Sequence, residues 1–198
     1  MLRKLFASVC AVALVGGLAV AAELTSGPQV GKEVPGPFSP LNINGEHAGK
    51  KVCLYCANGE NPVVMIFARS TDSKMTKALI KQVDTVIGKN EDCKIGSFVV
   101  FCTDDSKAEE TLKKMADKEK LKHVVLSTDS PTGPAKYKVA KDADVTVVLY
   151  TERNVKVNYA FKADEMKEKD VAKIIADIKK IAPEAKLPAT KAEKTAGN

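Results

Sequence analysis

The residues of this chain whose types and spacing best suit chemistry are its cysteines. Four of them follow the apolar N-terminal run, namely Cys53, Cys56, Cys93 and Cys102. Cys53 and Cys56 enclose a Leu-Tyr dipeptide, and this Cys-x-x-Cys spacing is typical of pairs that exchange disulfides with a partner. We therefore predict Cys53 and Cys56 as the catalytic pair, with Cys53 attacking, and Cys93 and Cys102 as candidates for a resolving or a structural disulfide.

The spacing of Cys53 and Cys56 sets a condition on their backbone. In a continuous strand, residues three apart lie about 10 Å from Cα to Cα, which exceeds the limit of about 7 Å for a disulfide. The pair closes only if the chain turns there. Residues 57–62, Ala-Asn-Gly-Glu-Asn-Pro, predict such a turn just after Cys56. The preceding stretch, residues 51–55, reads as part of an edge hairpin.

The predicted topology separates the cysteines into two groups. Cys56 precedes the first buried strand, Cys93 precedes the second, and Cys102 ends the second. If these strands are parallel, Cys53, Cys56 and Cys93 are neighbours at one edge of the sheet. Cys102 then lies at the opposite edge, about 20 Å away by strand rise.

Two other uses of the cysteines remain open. Disulfides in an exported protein commonly only staple the fold. Alternatively, Cys53, Cys56 and Cys93 with His123 supply three thiolates and an imidazole for a metal ion, although no second closely spaced Cys or His pair completes a usual zinc pattern. Ala57 follows Cys56, so the motif for covalent haem attachment is missing. We predict no metal and no cofactor.

The first 22 residues predict an export signal. Arg3 and Lys4 are followed by an uncharged apolar run over residues 5–22, and Ala19 and Ala21 give the small-x-small pattern of a cleavage site. The fifth cysteine lies in this run and is expected to leave with it. We predict a secreted or periplasmic protein, without stable membrane insertion after cleavage, in which oxidised cysteines are the default.

Composition predicts one domain with extended ends. Removal of the signal leaves about 175 of the 198 residues, enough for a single core. The net charge of +6 is spread along the chain without a basic stripe that interleaves aromatics, so we predict no nucleic-acid binding; protein thiols or disulfides are the expected partners. Residues 23–48, rich in Pro and Gly, predict an extended lead-in and hairpin, and residues 182–198 predict a disordered tail.

Hydrophobic patterns place the elements between these ends. Wholly apolar runs predict buried strands, and apolar residues at helical spacing predict helices. Repeated strand-helix-strand units favour a parallel centre, and a closing hairpin adds antiparallel strands. The predicted strands are residues 63–68, 95–102, 123–127, 145–150 and 155–161, and the main predicted helices are residues 73–87, 106–115 and 171–181.

The order of these elements over residues 30–181 resembles the thioredoxin-like superfamily, in particular its exported redoxin and peroxiredoxin branch. The segments that carry the resemblance are VGKEVP, PVVMIFA, VVFCTDD and STDSPTGPAKYKV. The resemblance implies an α/β fold, a thioredoxin-like three-layer sandwich over residues 49–181 with a central mixed sheet and helices on both faces. It also implies thiol-disulfide chemistry.

The chain departs from this family at the usual active site. The family places its reactive cysteine in the loop after the first core strand, at the N-terminus of the next helix, but here residues 69–74 contain no cysteine. Asp144 and Val145 stand where the family commonly has a cis-proline before its strand. Two hypotheses follow: an exported thiol-disulfide oxidoreductase that uses the displaced Cys53 and Cys56, or a catalytically inactive binding or structural module stapled by disulfides.

Overall fold

The computed structural model describes residues 24–188. The predicted signal peptide, residues 1–22, lies outside the described residues, as do residues 189–198. Within the described range, no helix is both long enough and apolar enough to cross a membrane.

A six-stranded mixed sheet forms the centre of the domain, in the order β1-β4-β3-β2-β5-β6. β2, β3 and β4 are mutually parallel, whereas β5 is antiparallel to β2 and β6 to β5, and the two-residue β1 pairs antiparallel with β4. The strands are β1 (Leu41–Asn42), β2 (Val63–Ala68), β3 (Gly96–Cys102), β4 (Val125–Asp129), β5 (Val145–Thr151) and β6 (Asn154–Phe161).

Four helices flank the sheet: α1 (Leu54–Asn58), α2 (Lys74–Gly88), α3 (Ala108–Glu119) and α4 (Glu168–Ala176). Alternate residues of β2 face opposite sides. One set packs with the buried residues of α2, α3 and α4 on what we call the helix face. The other set packs with α1 and the extended lead-in on what we call the lead-in face.

The predicted fold is thereby confirmed: a mixed sheet lies between two covering layers, with helices on both faces. All six side chains of β2 are buried because the strand lies near the centre of the sheet and is covered on both faces. A strand in such a position is apolar throughout. It runs beside β3 from Val63 opposite Gly96 and beside β5 from Val63 opposite Tyr150.

The lead-in covers its face mainly through aromatic contacts. The Phe38 ring meets the Tyr137 ring edge-on at 4.7 Å between centroids, and the Tyr137 hydroxyl donates to the Gly36 carbonyl at 2.5 Å. Ser26 is buried and shares a hydrogen bond with Thr146. The extended segment expected from its prolines and glycines is therefore an integral layer of the domain.

The disordered tail predicted from residue 182 starts too early. Residues 181–188, which we call the C-terminal strap, lie against the domain with Ala182 and Ala185 buried. The amide side chain of buried Asn90 donates to the Lys186 carbonyl and accepts from the Lys186 N–H. Ile181 and Leu187 of the strap pack on the helix face, and the buried Asn90 amide adds two hydrogen bonds to its backbone. Residues 189–198 lie outside the described range.

Candidate functional site

Cys53 and Cys56 form a disulfide, with Cα atoms 5.2 Å apart. They meet because the chain turns into α1 directly after Cys53, and residues three apart are neighbours on a helix. The predicted edge hairpin is therefore wrong beyond Lys51, which bridges Leu41. The turn that the pair requires begins before Cys56.

Hydrogen bonds among its own residues hold α1. Cys53 is the residue that caps the helix, and its Sγ accepts the Cys56 N–H at 3.1 Å. The Ala57 N–H donates to the Cys53 carbonyl at 3.0 Å, and the Asn58 side chain donates to the Leu54 carbonyl at 2.7 Å. Gly59 ends the helix at a positive φ of 54°, a conformation that glycine adopts without strain.

Two buried side chains anchor α1 to the lead-in face. Leu54 and Tyr55 are both buried, and the Tyr55 ring lies 6.5 Å from the Tyr150 ring. The Arg153 guanidinium lies 5.5 Å from the centre of the Tyr55 ring and pairs with Glu60 at 2.9 Å. The disulfide is thus mounted on a fixed helix rather than on a free loop.

The two sulfur-bearing residues differ in exposure. Cys56 is exposed, whereas Cys53 is partly buried and packs against the apolar cluster on the lead-in face. Of the two sulfur atoms, that of Cys56 is therefore the more accessible from solvent. The order in which Cys53 attacks stays a prediction, and the exposure favours Cys56 instead.

Cys93 does not join the pair, and the predicted neighbourhood of three cysteines is wrong. It is a free thiol that packs against the helix face, whereas Cys53 packs on the lead-in face. The reason is that Cys93 ends a 3₁₀ turn that follows α2, and α2 covers the helix face. Burial and the neighbouring Glu184 carboxylate raise the pKa of the Cys93 thiol.

The alternative metal site is not assembled either. No group of three or more His, Cys, Asp or Glu residues converges within residues 24–188. His123 packs instead against Gly88, where a Cβ atom would lie 2.6 Å from Nε2 of the histidine. The candidate ligands Cys53 and Cys56 are already joined to each other.

Cys102 lies at the end of β3 as a free thiol that is 3% exposed. Burial raises its pKa to about 11, against the smaller lowering influence of Arg69. Its Sγ lies 3.1 Å from the position that a Cβ atom on Gly133 would take. A covered thiol that stays protonated at neutral pH is a poor nucleophile.

At the corner where the family keeps its reactive cysteine, an arginine ties three loops together. The Arg69 guanidinium group donates to the carbonyls of Ala143 at 3.0 Å, Ala140 at 2.9 Å and Pro131. The peptide bonds of residues 24–188 are all trans. The sequence analysis did not predict this role of Arg69. The available signal was an arginine directly after a buried strand, where its guanidinium group must find acceptors such as backbone carbonyls.

Comparison with known proteins finds no matching family model and no matching curated relative. Similar solved structures include a Plasmodium vivax 2-Cys peroxiredoxin, with 20% identity and a TM-score of 0.55, which covers 76% of this chain and 96% of that one. The thioredoxin domain of a Bacteroides vulgatus thiol-disulfide oxidoreductase has 11% identity and a TM-score of 0.54, covering 76% and 97%.

A secreted Mycobacterium tuberculosis disulfide oxidoreductase is also similar, with 14% identity and a TM-score of 0.51, covering 70% of this chain and 94% of that one. These proteins share the order and layering of elements described above. The chain has a thioredoxin-like fold and carries a Cys-x-x-Cys disulfide at Cys53 and Cys56.

Proposed function

We propose that this protein is an exported thiol-disulfide oxidoreductase that exchanges disulfides through Cys53 and Cys56. The observation that carries the proposal is a disulfide between residues three apart with its outer cysteine, Cys56, open to solvent. Its partners are protein thiols or disulfides. Cys93 and Cys102 take no part, because one packs on the other face of the sheet and the other is buried.

The short loop of this disulfide argues against a purely stapling role. A cross-link stabilises mainly by restricting the unfolded chain, and the restriction grows with the number of residues enclosed. For the four residues from Cys53 to Cys56, the loop-entropy relation gives about 2 kcal/mol, against about 4.7 kcal/mol for a loop of 100 residues. The bond adds little to a domain already built around two apolar clusters.

The proposed exchange steps follow from the unequal exposure of the two cysteines. A partner thiolate attacks Cys56 Sγ and forms a mixed disulfide, and Cys53 leaves as a thiolate that the Cys56 N–H stabilises through the hydrogen bond at 3.1 Å. A second partner thiolate then attacks the partner sulfur of the mixed disulfide. The partner leaves with a disulfide, and Cys53 and Cys56 retain its two electrons as thiols. In the reducing direction, Cys56 attacks and Cys53 resolves.

The predicted export signal is a second, independent support for the proposal. The predicted signal over residues 1–22 implies a compartment in which disulfides form and persist. One of the similar solved structures is itself described as secreted. We therefore propose that the protein works in the cell envelope or outside the cell.

Single-cysteine variants test the order of attack. In Cys53→Ser the exposed Cys56 remains, and in Cys56→Ser only the partly buried Cys53 remains. We expect Cys56 to form a mixed disulfide with oxidised glutathione about tenfold faster than Cys53 does, measured by mass spectrometry over time. Cys102→Ser is the control and is expected to keep the native disulfide and the wild-type exchange rate. Faster reaction at Cys53 would overturn the order.

A catalytically inactive binding or structural module is the second candidate. The feature that favours it is the family's usual corner, where Arg69 binds three carbonyls and residues 69–74 hold no cysteine. A reduction potential separates the two functions. An exchange-active pair is expected to lie above about −300 mV and to reduce insulin, whereas a lower potential without turnover would leave only the inactive module.

A further inference from the structure

A groove runs between α2 and α4 and is bounded at one end by the C-terminal strap. Its volume is about 1060 Å³, just above the range of about 300–1000 Å³ typical of small-molecule sites. Met75, Val171, Ile175 and Leu187 give it an apolar lining. It lies on the helix face, whereas the disulfide is mounted on the lead-in face.

Small side chains from the facing helices keep the groove open. Ala78 of α2 and Ala172 and Ala176 of α4 line it, and no large side chain fills the space between them. Ala172 and Ala176 are exposed. The apolar surface between the two helices thus remains accessible to an alkyl chain, whereas larger side chains at these positions would fill the groove.

Four lysines surround this lining, namely Lys74, Lys169, Lys179 and Lys186, and Glu168 is the one acidic residue among the lining residues. None of the four lysines forms a salt bridge with another residue of the range 24–188, although the Lys179 ammonium donates to the Pro183 carbonyl at 3.1 Å.

Nearby lysines behave differently. Lys173 and Lys180 both pair with Asp177, at 3.0 Å in each case. The four groove lysines therefore place positive charge at its rim that no carboxylate within residues 24–188 pairs with.

We propose that this groove binds a single-chain anionic amphiphile, a long-chain carboxylate. Its alkyl chain would cover Met75, Ile175 and Leu187. Its carboxylate head group would meet the rim lysines, which form no salt bridge within residues 24–188. Burial of each methylene adds to the affinity, so chain length supplies affinity, and the lysines select the sign of the head group.

The chain's own C-terminus is a poor occupant. Residues 189–198 follow directly on Pro188, which lines the groove. Their sequence, ATKAEKTAGN, contains two lysines, one glutamate and no large apolar side chain. Side chains that sum to a positive charge, with no apolar anchor among them, complement neither the charge nor the lining of the groove.

Calorimetric titration of the protein beginning at Glu23 tests the proposal. This form avoids the apolar run of residues 5–22, which would itself bind alkyl chains, and it retains the whole described domain. The probes are dodecanoate and dodecyltrimethylammonium below their micelle concentrations, because they share a chain and differ in head-group charge. We expect dodecanoate to bind at one site and the cation to bind at least about tenfold more weakly.

Two variants and one control locate the site. Lys169→Gln with Lys179→Gln is expected to weaken dodecanoate binding about fivefold. Lys113→Gln with Lys118→Gln removes the same charge from exposed positions of α3 and should change nothing. Ala172→Phe is expected to abolish binding by filling the groove, with circular dichroism to verify the fold and Ala176→Phe as the substitute if it misfolds.

Three results would overturn the proposal. Equal binding of the anionic and cationic probes would show that the lysines do not select the ligand. Dodecanoate binding that survives both the lysine and the phenylalanine variants would place the ligand elsewhere. Binding of an acidic amphipathic peptide without any binding of dodecanoate would make the groove a protein-docking surface.

Discussion

At the level of single residues, Arg69 lies where the resembled family has its nucleophile. It forms what we call a clamp, a set of hydrogen bonds to backbone carbonyls. Its guanidinium group binds carbonyls in three places along residues 131–143. Arg69→Met would leave these carbonyls without their donor, and we expect it to lower the free energy of unfolding by about 2 kcal/mol, measured by urea denaturation. Lys141→Met, at an exposed neighbouring position, is the control and should stay within about 0.5 kcal/mol. Equal effects of the two variants would contradict this role.

Asp144, beside this clamp, predicts a pH effect of a definite sign. Burial and the nearby Asp164 raise the pKa of its carboxyl group, and Arg69 opposes them. A folded-state pKa above the unfolded value makes the charged carboxylate destabilising at neutral pH, and the penalty disappears below the unfolded pKa of about 4. Asp144→Asn should therefore raise the melting temperature at pH 7 and leave it unchanged at pH 3. Asp142→Asn, which is exposed, should change neither.

The residues of the candidate site were only partly predictable. The spacing of Cys53 and Cys56 predicted a pair, and the condition that the chain turn there identified what closure requires. The position of Cys93 was predicted wrongly because strand direction gives the edge of a sheet but not the face. The face depends on the helix next to the cysteine. Cys93 follows α2, which covers the helix face, whereas Cys53 precedes α1, which packs on the lead-in face.

At the level of elements, α1 and β3 meet at a position where only glycine fits. A Cβ atom on Gly96 would lie 1.7 Å from Oδ1 of Asn58, and Asn58 is itself tied to the Leu54 carbonyl. We expect Gly96→Ala to cost about 1–3 kcal/mol of folding free energy. Asn58→Ala removes the obstacle, so the double variant should be no less stable than Asn58→Ala alone. A double-mutant cycle measured by urea denaturation checks this, and simple additivity would contradict the contact.

Elements with a long apolar pattern were predictable, and short ones were not. β2 is apolar throughout, β3 is apolar from Phe98 to Cys102, and α2 presents a regular apolar face, so their patterns leave one interpretation. α1 has five residues, too few for a helical period to show. The strap was not predicted for a related reason: its large apolar residues, Ile181 and Leu187, are too few to show a pattern, and hydrogen bonds from Asn90 to its backbone complete its attachment.

Across the whole molecule, the disulfide lies at the opposite end of β2 from the corner where the resembled family keeps its reactive cysteine. The C-terminal end of β2 leads into Arg69 and a clamped corner, whereas α1 and the disulfide precede its N-terminal end. A sheet with buried strands supports chemistry at either end, because loops enter and leave at both. The fold therefore constrains where a site can be built without dictating which end carries it.

This arrangement predicts that the domain stays folded after its disulfide is reduced. The bond closes a loop of four residues, so its reduction should cost about 2 kcal/mol, or about 4–8 °C in melting temperature for a domain of this size. Calorimetric melting with and without a reductant measures the shift. The double variant Cys53→Ser with Cys56→Ser should show the same shift and no response to the reductant. Loss of cooperative unfolding in either case would mean that the bond is required for the fold, and the inactive, stapled module would then be the better description.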